Sequence, residues 1–138
     1  MARRMGLATM AYAPLCAGML TGKYQRGERQ KSGTRSQDDE KLQALLSNDA
    51  AFDVIDALRT IADREHVKLN QLAMLWLMAK PHLTTPILGG SKPEHFRDMY
   101  AIADRKLSAE TVAQIDELSQ GFVYRRFENQ PIKEGPMP

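Results

Sequence analysis

Cysteine is almost missing from this chain: Cys16 is the one cysteine in 138 residues. No intrachain disulfide can form, and a reducing, cytoplasmic setting is expected. Only three histidines are present, and their scatter offers no spacing that would hold a metal. No apolar run is long enough to span a bilayer. The opening Met1–Gly6 carries Arg3 and Arg4 but no apolar stretch of leader length. Neither sign of charge dominates, with 19 Lys and Arg against 17 Asp and Glu, so charge does not argue for a nucleic-acid partner. No serine, cysteine or threonine stands beside a base in a pattern that would make it a nucleophile. No internal repeat is visible beyond two strand–loop–helix units.

What remains is an ordinary globular composition, 43% hydrophobic and 26% charged, with enough length for one domain and a real core. Met5 to Ala13 is apolar almost throughout and ends at Pro14, the pattern of a strand buried on both faces of a parallel sheet. Residues 14–24 follow as a loop with Gly18 and Gly22. Gln25 to Lys41 is polar and shows no apolar periodicity, which predicts a long surface loop. Asp49 is the expected N-cap of an amphipathic helix carrying Phe52, Ile55, Leu58 and Ala62, which ends near His66. Asn70 is the expected cap of a second helix, Gln71 to Ala79, apolar nearly all round and stopped by Pro81. Ser108 opens a last helix with Val112, Ile115 and Leu118 inward. The tail, residues 121–138, is aromatic, charged and proline-rich without periodicity.

Thr84 to Tyr100 is the stretch with the clearest chemistry. It predicts a short buried strand ending in Ile87 and Leu88, a turn at Gly89 and Gly90, and a helix to about Ala103 that Ser91 caps and Pro93 opens. A helix start offers unpaired N–H groups and partial positive charge, and Lys92 and Arg97 add full charges beside it. Those are the parts of a phosphate seat.

Two segments then carry a resemblance. The run PILGGSKPEHF is similar to the end of strand eight and the following helix start in aldo-keto reductases, TIM-barrel enzymes that use NADPH. Residues 14–24 resemble that family's PLAGGLLTGKY loop after strand seven, with Leu15, Gly18, Leu20, Thr21, Gly22, Lys23 and Tyr24 matching. The resemblance implies an α/β fold, a partial TIM (β/α)8 barrel made of the last two βα units with a C-terminal helix over residues 1–120, followed by the tail. It implies a nicotinamide dinucleotide, NADP(H), as partner. Tyr12, Pro14, Leu15, Gly18, Leu20, Thr21, Gly22 and Lys23 fall at its nicotinamide and pyrophosphate end. Gly89, Ser91, Lys92, His95 and Arg97 fall at the 2′-phosphate and adenine end. His95 stands where the family usually has Arg or Gln, and Met99 where it usually has an adenine-contacting Asn.

The family's catalytic Tyr, Lys, Asp and His lie on earlier strands, upstream of everything matched here, so no residue of this chain is assigned to catalysis. The expected role is therefore the cofactor-binding part of an oxidoreductase that moves hydride between carbonyl and alcohol. The alternative is a non-catalytic remnant that binds nucleotide or mediates oligomerisation. Self-association or a complementing chain is expected, because Leu72, Leu75, Trp76 and Met78 line one helix face and a two-stranded sheet leaves open edges. Leu58 to Ala73 also scans as a helix-turn-helix. Its second helix, though, shows Leu, Met and Trp where base-reading polar side chains are needed, so DNA binding is set aside.

Overall fold

A computed structural model of the chain describes residues 2–27, 32–37 and 39–120. The expectations for the tail and for residues 28–31 and 38 of the polar stretch lie outside the described residues.

Two short strands, β1 (Met10–Ala11) and β2 (Thr85–Pro86), pair in parallel with Met10 opposite Thr85. They fall within the strands expected in Met5 to Ala13 and from Thr84 to Leu88. Backbone bonds from Thr84 N to Thr9 O (2.9 Å) and from Ile87 N to Ala11 O (2.8 Å) lengthen the ladder at both ends. The side chains of Thr9 and Thr84 also bond across it, Thr9 N–H donating to Thr84 Oγ1 at 2.9 Å. The expected burial on both faces is corrected. Exposure alternates along each strand, as the pleat requires. Ala11, Pro86 and Leu88 turn towards the helices, whereas Met10 (67% exposed), Tyr12 (58%) and Ile87 (43%) stand on an open face. An apolar strand is buried on both sides only when layers cover both, and here helices cover one.

Among the described residues five α-helices follow in chain order. Helix α1 (Glu40–Leu46) begins in the last two residues of the stretch expected to be a loop and continues through residues for which no element was expected. Asp39 caps it by accepting from Leu42 N–H at 3.0 Å, and Leu42 and Leu46, one turn apart, are fully buried. Helix α2 (Asp49–Arg64) is capped by Asn48, not Asp49, through Ala51 N–H. Its end is a Schellman turn: His66 lies at φ +52°, and Val67 N–H reaches Ala62 O. Helix α3 (Leu69–Met78) begins earlier than expected, with Lys68 at the cap and Gln71 Oε1 accepting the Lys68 N–H at 2.9 Å. Asn70 lies inside it instead of capping it. Helix α4 (Pro93–Tyr100) and helix α5 (Ala109–Leu118) complete the set, the latter capped by Ser108 as expected.

The core sits among α1, α2, α3 and α5. Phe52, Ile55, Leu58 and Ile61 of α2 pack with Leu42, Leu46, Leu72 and Ile115, joined by Met19 and Tyr24 from the loop after β1. A smaller cluster of Met74, Leu75 and Ile102, with Leu88 and Met99 beside it, ties α3 to β2 and α4. Leu72 and Leu75 are thus consumed inside the chain, and Trp76 is held by Asp116 through an Nε1–H bond of 2.7 Å. Of the face expected on α3 for self-association, Leu72 and Leu75 are therefore off the surface, while Met78 stays 43% exposed. Other exposed apolar side chains stand on or beside the strands, at Leu7, Met10, Tyr12 and Ile87, and on α4, at Phe96 and Tyr100.

Candidate dinucleotide cleft

Both signature segments leave the carboxyl ends of adjacent parallel strands, which is where open and closed α/β sheets place their ligands. The loop after β1 is tightly wound. Ala13, Cys16 and Ala17 adopt φ of +54°, +48° and +53° without being glycine. Such left-handed conformations cost about 1–2 kcal/mol per residue and persist where surrounding structure imposes them. Here Cys16 N–H bonds Ala13 O at 3.0 Å, Gly18 N–H bonds Leu15 O at 2.9 Å, and Thr21 Oγ1–H bonds Gly18 O at 2.7 Å. Burial pushes the Cys16 thiol up to about 11, leaving it a packing group, not a reactive one. Gly18 avoids both backbone strain and a side-chain contact at its position. Its φ is +98°, and a Cβ there would lie 2.9 Å from the Lys23 ammonium. Lys23 in turn lies over the Tyr24 ring at 4.8 Å from its centroid.

After β2, Gly90 is pressed against the first turn of α4. A Cβ would stand 3.0 Å from both His95 Cβ and Phe96 Cε2. Ser91 does not cap α4, as had been expected. Lys92 holds the cap position and gives the helix no side-chain cap, so its first amides keep no side-chain acceptor.

Between loop and turn lies a cleft of about 750 Å³. Of the residues expected at the site, Tyr12, Pro14, Leu15, Gly18, Thr21, Lys23, Gly89, Ser91 and His95 line it. Lys92 and Arg97 face a neighbouring, more open hollow of about 520 Å³ with Phe96 and Tyr100. The two hollows share Gly90 and Ser91, so the Gly90–Ser91 backbone is the saddle between them. Leu20 and Gly22 line neither: Leu20 packs on the core, and Gly22 ends the short 3-10 segment Cys16–Thr21 at φ +78°. Neither Lys92 nor Arg97 enters an ion pair among the described residues.

Asn70 and Asp98 are cleft residues that the sequence reading missed. Lys68 Nζ donates to Asp98 Oδ1 at 2.7 Å, and Gln71 Nε2–H to its carbonyl at 2.7 Å. The Lys68 hydrogen bond, helped by Asn70, holds the Asp98 carboxyl below the ordinary aspartate range. Contacts thirty residues apart leave no trace in local pattern. A polar Asn at the start of an otherwise apolar helix was the available signal. Among the described residues no group of three His, Cys, Asp or Glu side chains could hold a metal, and no helix is long and apolar enough to cross a membrane.

The aldo/keto reductase family model matches residues 1–120. The chain belongs to this family. Among its family relatives, L-glyceraldehyde 3-phosphate reductase of Escherichia coli K12 is 28% identical over 116 residues, covering 81% of this chain and 33% of that protein. A putative voltage-gated potassium channel subunit beta of Schizosaccharomyces pombe is 29% identical over 117 residues, covering 82% and 34%. The chain thus spans about a third of the length of the curated relatives it matches. The glycerol dehydrogenase structure from Gluconobacter oxydans superposes with a TM-score of 0.71 over 99% of this chain and 40% of its own, at 20% identity, a likeness of fold. In this aldo/keto reductase chain the cleft lies between two loops that leave paired strands, with Asn70 of α3 and Asp98 of α4 completing its lining.

Proposed function

We propose that the chain is the C-terminal, NADP(H)-binding portion of an aldo-keto reductase-like oxidoreductase, the last two βα units of a (β/α)8 barrel. The observation that carries this reading is the cleft at the carboxyl ends of β1 and β2, with the Gly18–Lys23 loop on one side and the Gly89–Ser91 segment on the other. The open face of Met10, Tyr12 and Ile87 fits the same reading, since six further strands would turn that face into the barrel interior.

The residues present suit a phosphorylated dinucleotide. The start of α4 lacks a side-chain cap, and Lys92 and Arg97 stand beside it without ion pairs among the described residues. An anion there gains both the helix amides and two full charges. Ser91 and Lys92 would hold the 2′-phosphate at the saddle, with Arg97 behind them. Gly18, Thr21 and Lys23 would follow the pyrophosphate, and Tyr12 would present its ring at the nicotinamide end. When bound, such a cofactor supplies or accepts the hydride exchanged with a carbonyl or alcohol. This chain's part is to seat and orient it; the Tyr, Lys, Asp and His that the family uses for proton transfer belong to strands outside the matched motifs.

Titrating NADPH and NADH against the chain and its Lys92→Ala variant tests the reading. A charge-assisted contact to phosphate contributes about 1.5–3 kcal/mol, so NADPH affinity should fall roughly tenfold or more while NADH affinity holds. Equal losses for both nucleotides would make Lys92 a structural residue and remove the phosphate seat. A second reading rests on the open strand face: a remnant that binds a second copy or a complementing chain there. Reduction of an aldehyde by the purified chain with NADPH, abolished by Tyr12→Phe, would contradict the remnant and would place a rebuilt catalytic site in this chain.

A further inference from the structure

Arg26 lies just past the cleft loop, and its guanidinium is held by three carboxylates of α2 at once. Nη1 meets Asp49 Oδ1 at 3.2 Å, and Nη2 meets Asp53 Oδ1 at 2.7 Å and Asp56 Oδ2 at 3.3 Å. Nη1–H also donates to the Asp49 carbonyl at 3.2 Å, and the guanidinium lies over the Phe52 ring at 5.7 Å. Asp49, Asp53 and Asp56 recur at the spacing that lines one face of a helix, so α2 offers a carboxylate ladder and Arg26 is the fork that fits it. A lysine could meet one rung, not three.

The position of this fork in the chain gives it a consequence for the cleft. Two residues before Arg26, Tyr24 is buried in the core at 1% exposure. Next to Tyr24, Lys23 lines the cleft and lies against Gly18. The loop's amino end is tied to β1, and this fork ties its carboxyl end to the longest helix of the described residues. We propose that Arg26 is a positioning residue: by gripping the acidic face of α2 it holds the Gly18–Tyr24 wall, and Lys23 with it, in the conformation that takes the dinucleotide. The proposal rests on the nucleotide reading above for its ligand, but its mechanical part stands on the ion pairs alone.

The experiment separates the two. Hydrogen exchange of the chain without nucleotide, in wild type, Arg26→Ala and Arg26→Lys, reads the loop directly. Faster exchange at residues 16–24 in Arg26→Ala, with α3 and α5 unchanged and Arg26→Lys intermediate, is the expected result. Unchanged loop exchange overturns the proposal. NADPH and NADH are then titrated into Arg26→Ala, Lys23→Ala and the double variant. Both affinities should fall equally, by roughly fivefold, the scale of a well-formed surface ion-pair network. The Arg26→Ala loss should vanish once Lys23 is already gone. Additive losses, or a loss confined to NADPH, overturn it. If wild type binds neither nucleotide while loop exchange rises in Arg26→Ala, the clamp is upheld and the nucleotide reading falls.

Discussion

At the scale of single residues, the cleft is shaped by small groups under constraint and by one charged pair behind its wall. Asp98 shows how the pair works. Its carboxyl is lowered from the ordinary 3.8 chiefly by the Lys68 hydrogen bond, against a smaller opposing effect of desolvation. A lowered native value means that the ionised form favours the fold. That contribution is complete above the ordinary aspartate value and is lost as pH falls through the native one. Urea midpoints followed from about pH 5 to pH 2 should therefore decline less steeply in Asp98→Asn than in wild type. The difference should be modest, because the Lys68 side chain is 66% exposed and solvent screens the pair. Parallel acid limbs would show that the pair adds nothing to folding.

At the scale of the element, the loop between β1 and α1 is where sequence and conformation disagree most. Alanine and cysteine occupy left-handed positions there, while Gly18 avoids that strain at φ +98° and leaves the end of Lys23 where a Cβ would make it shift. Gly18→Ala should cost about 1–2 kcal/mol of stability from the backbone alone, and should also displace Lys23 and weaken NADH and NADPH together. Gly22→Ala is the control. Its φ is +78° but no atom lies within 4 Å of a new Cβ, so stability should fall by a similar amount with affinity retained. Thermal melts paired with nucleotide titrations check both. Similar affinity losses in the two variants would mean that Lys23 is not what Gly18 makes room for.

At the scale of the whole molecule, the helical side is finished and the strand side is not. Phe52, Leu42 and Leu72 are buried almost completely, whereas Met10, Tyr12 and Ile87 expose an apolar strip along a two-stranded sheet. Contiguous apolar surface with free strand edges favours association. Sedimentation of the chain should show oligomers that shift towards monomer in a Met10→Thr, Ile87→Thr variant, with α2 and its core unaffected by circular dichroism. A monomer at high concentration in wild type would show that the open face is not adhesive.

Much of this protein was legible in its residues because the signals are local. The apolar period of α2, the Ser108 cap, the glycine turn after β2 and the loop from Pro14 to Tyr24 each depend on neighbours within a turn or two. The family and the parallel pairing of the two strands followed from them. Other features were decided by partners far away in sequence. The seven-residue helix α1 exists because Leu42 and Leu46 find the core, although the polar stretch before it read as a loop and no helix was expected there. Asn70 and Asp98 reach the cleft only because α3 and α4 pack side by side. Arg26 meets its three carboxylates only once α2 lies beside the loop. Strand burial, too, was decided by tertiary structure: an apolar strand encodes a preference for being covered, but layers from elsewhere must supply the cover, and around β1 and β2 the helices supply one side.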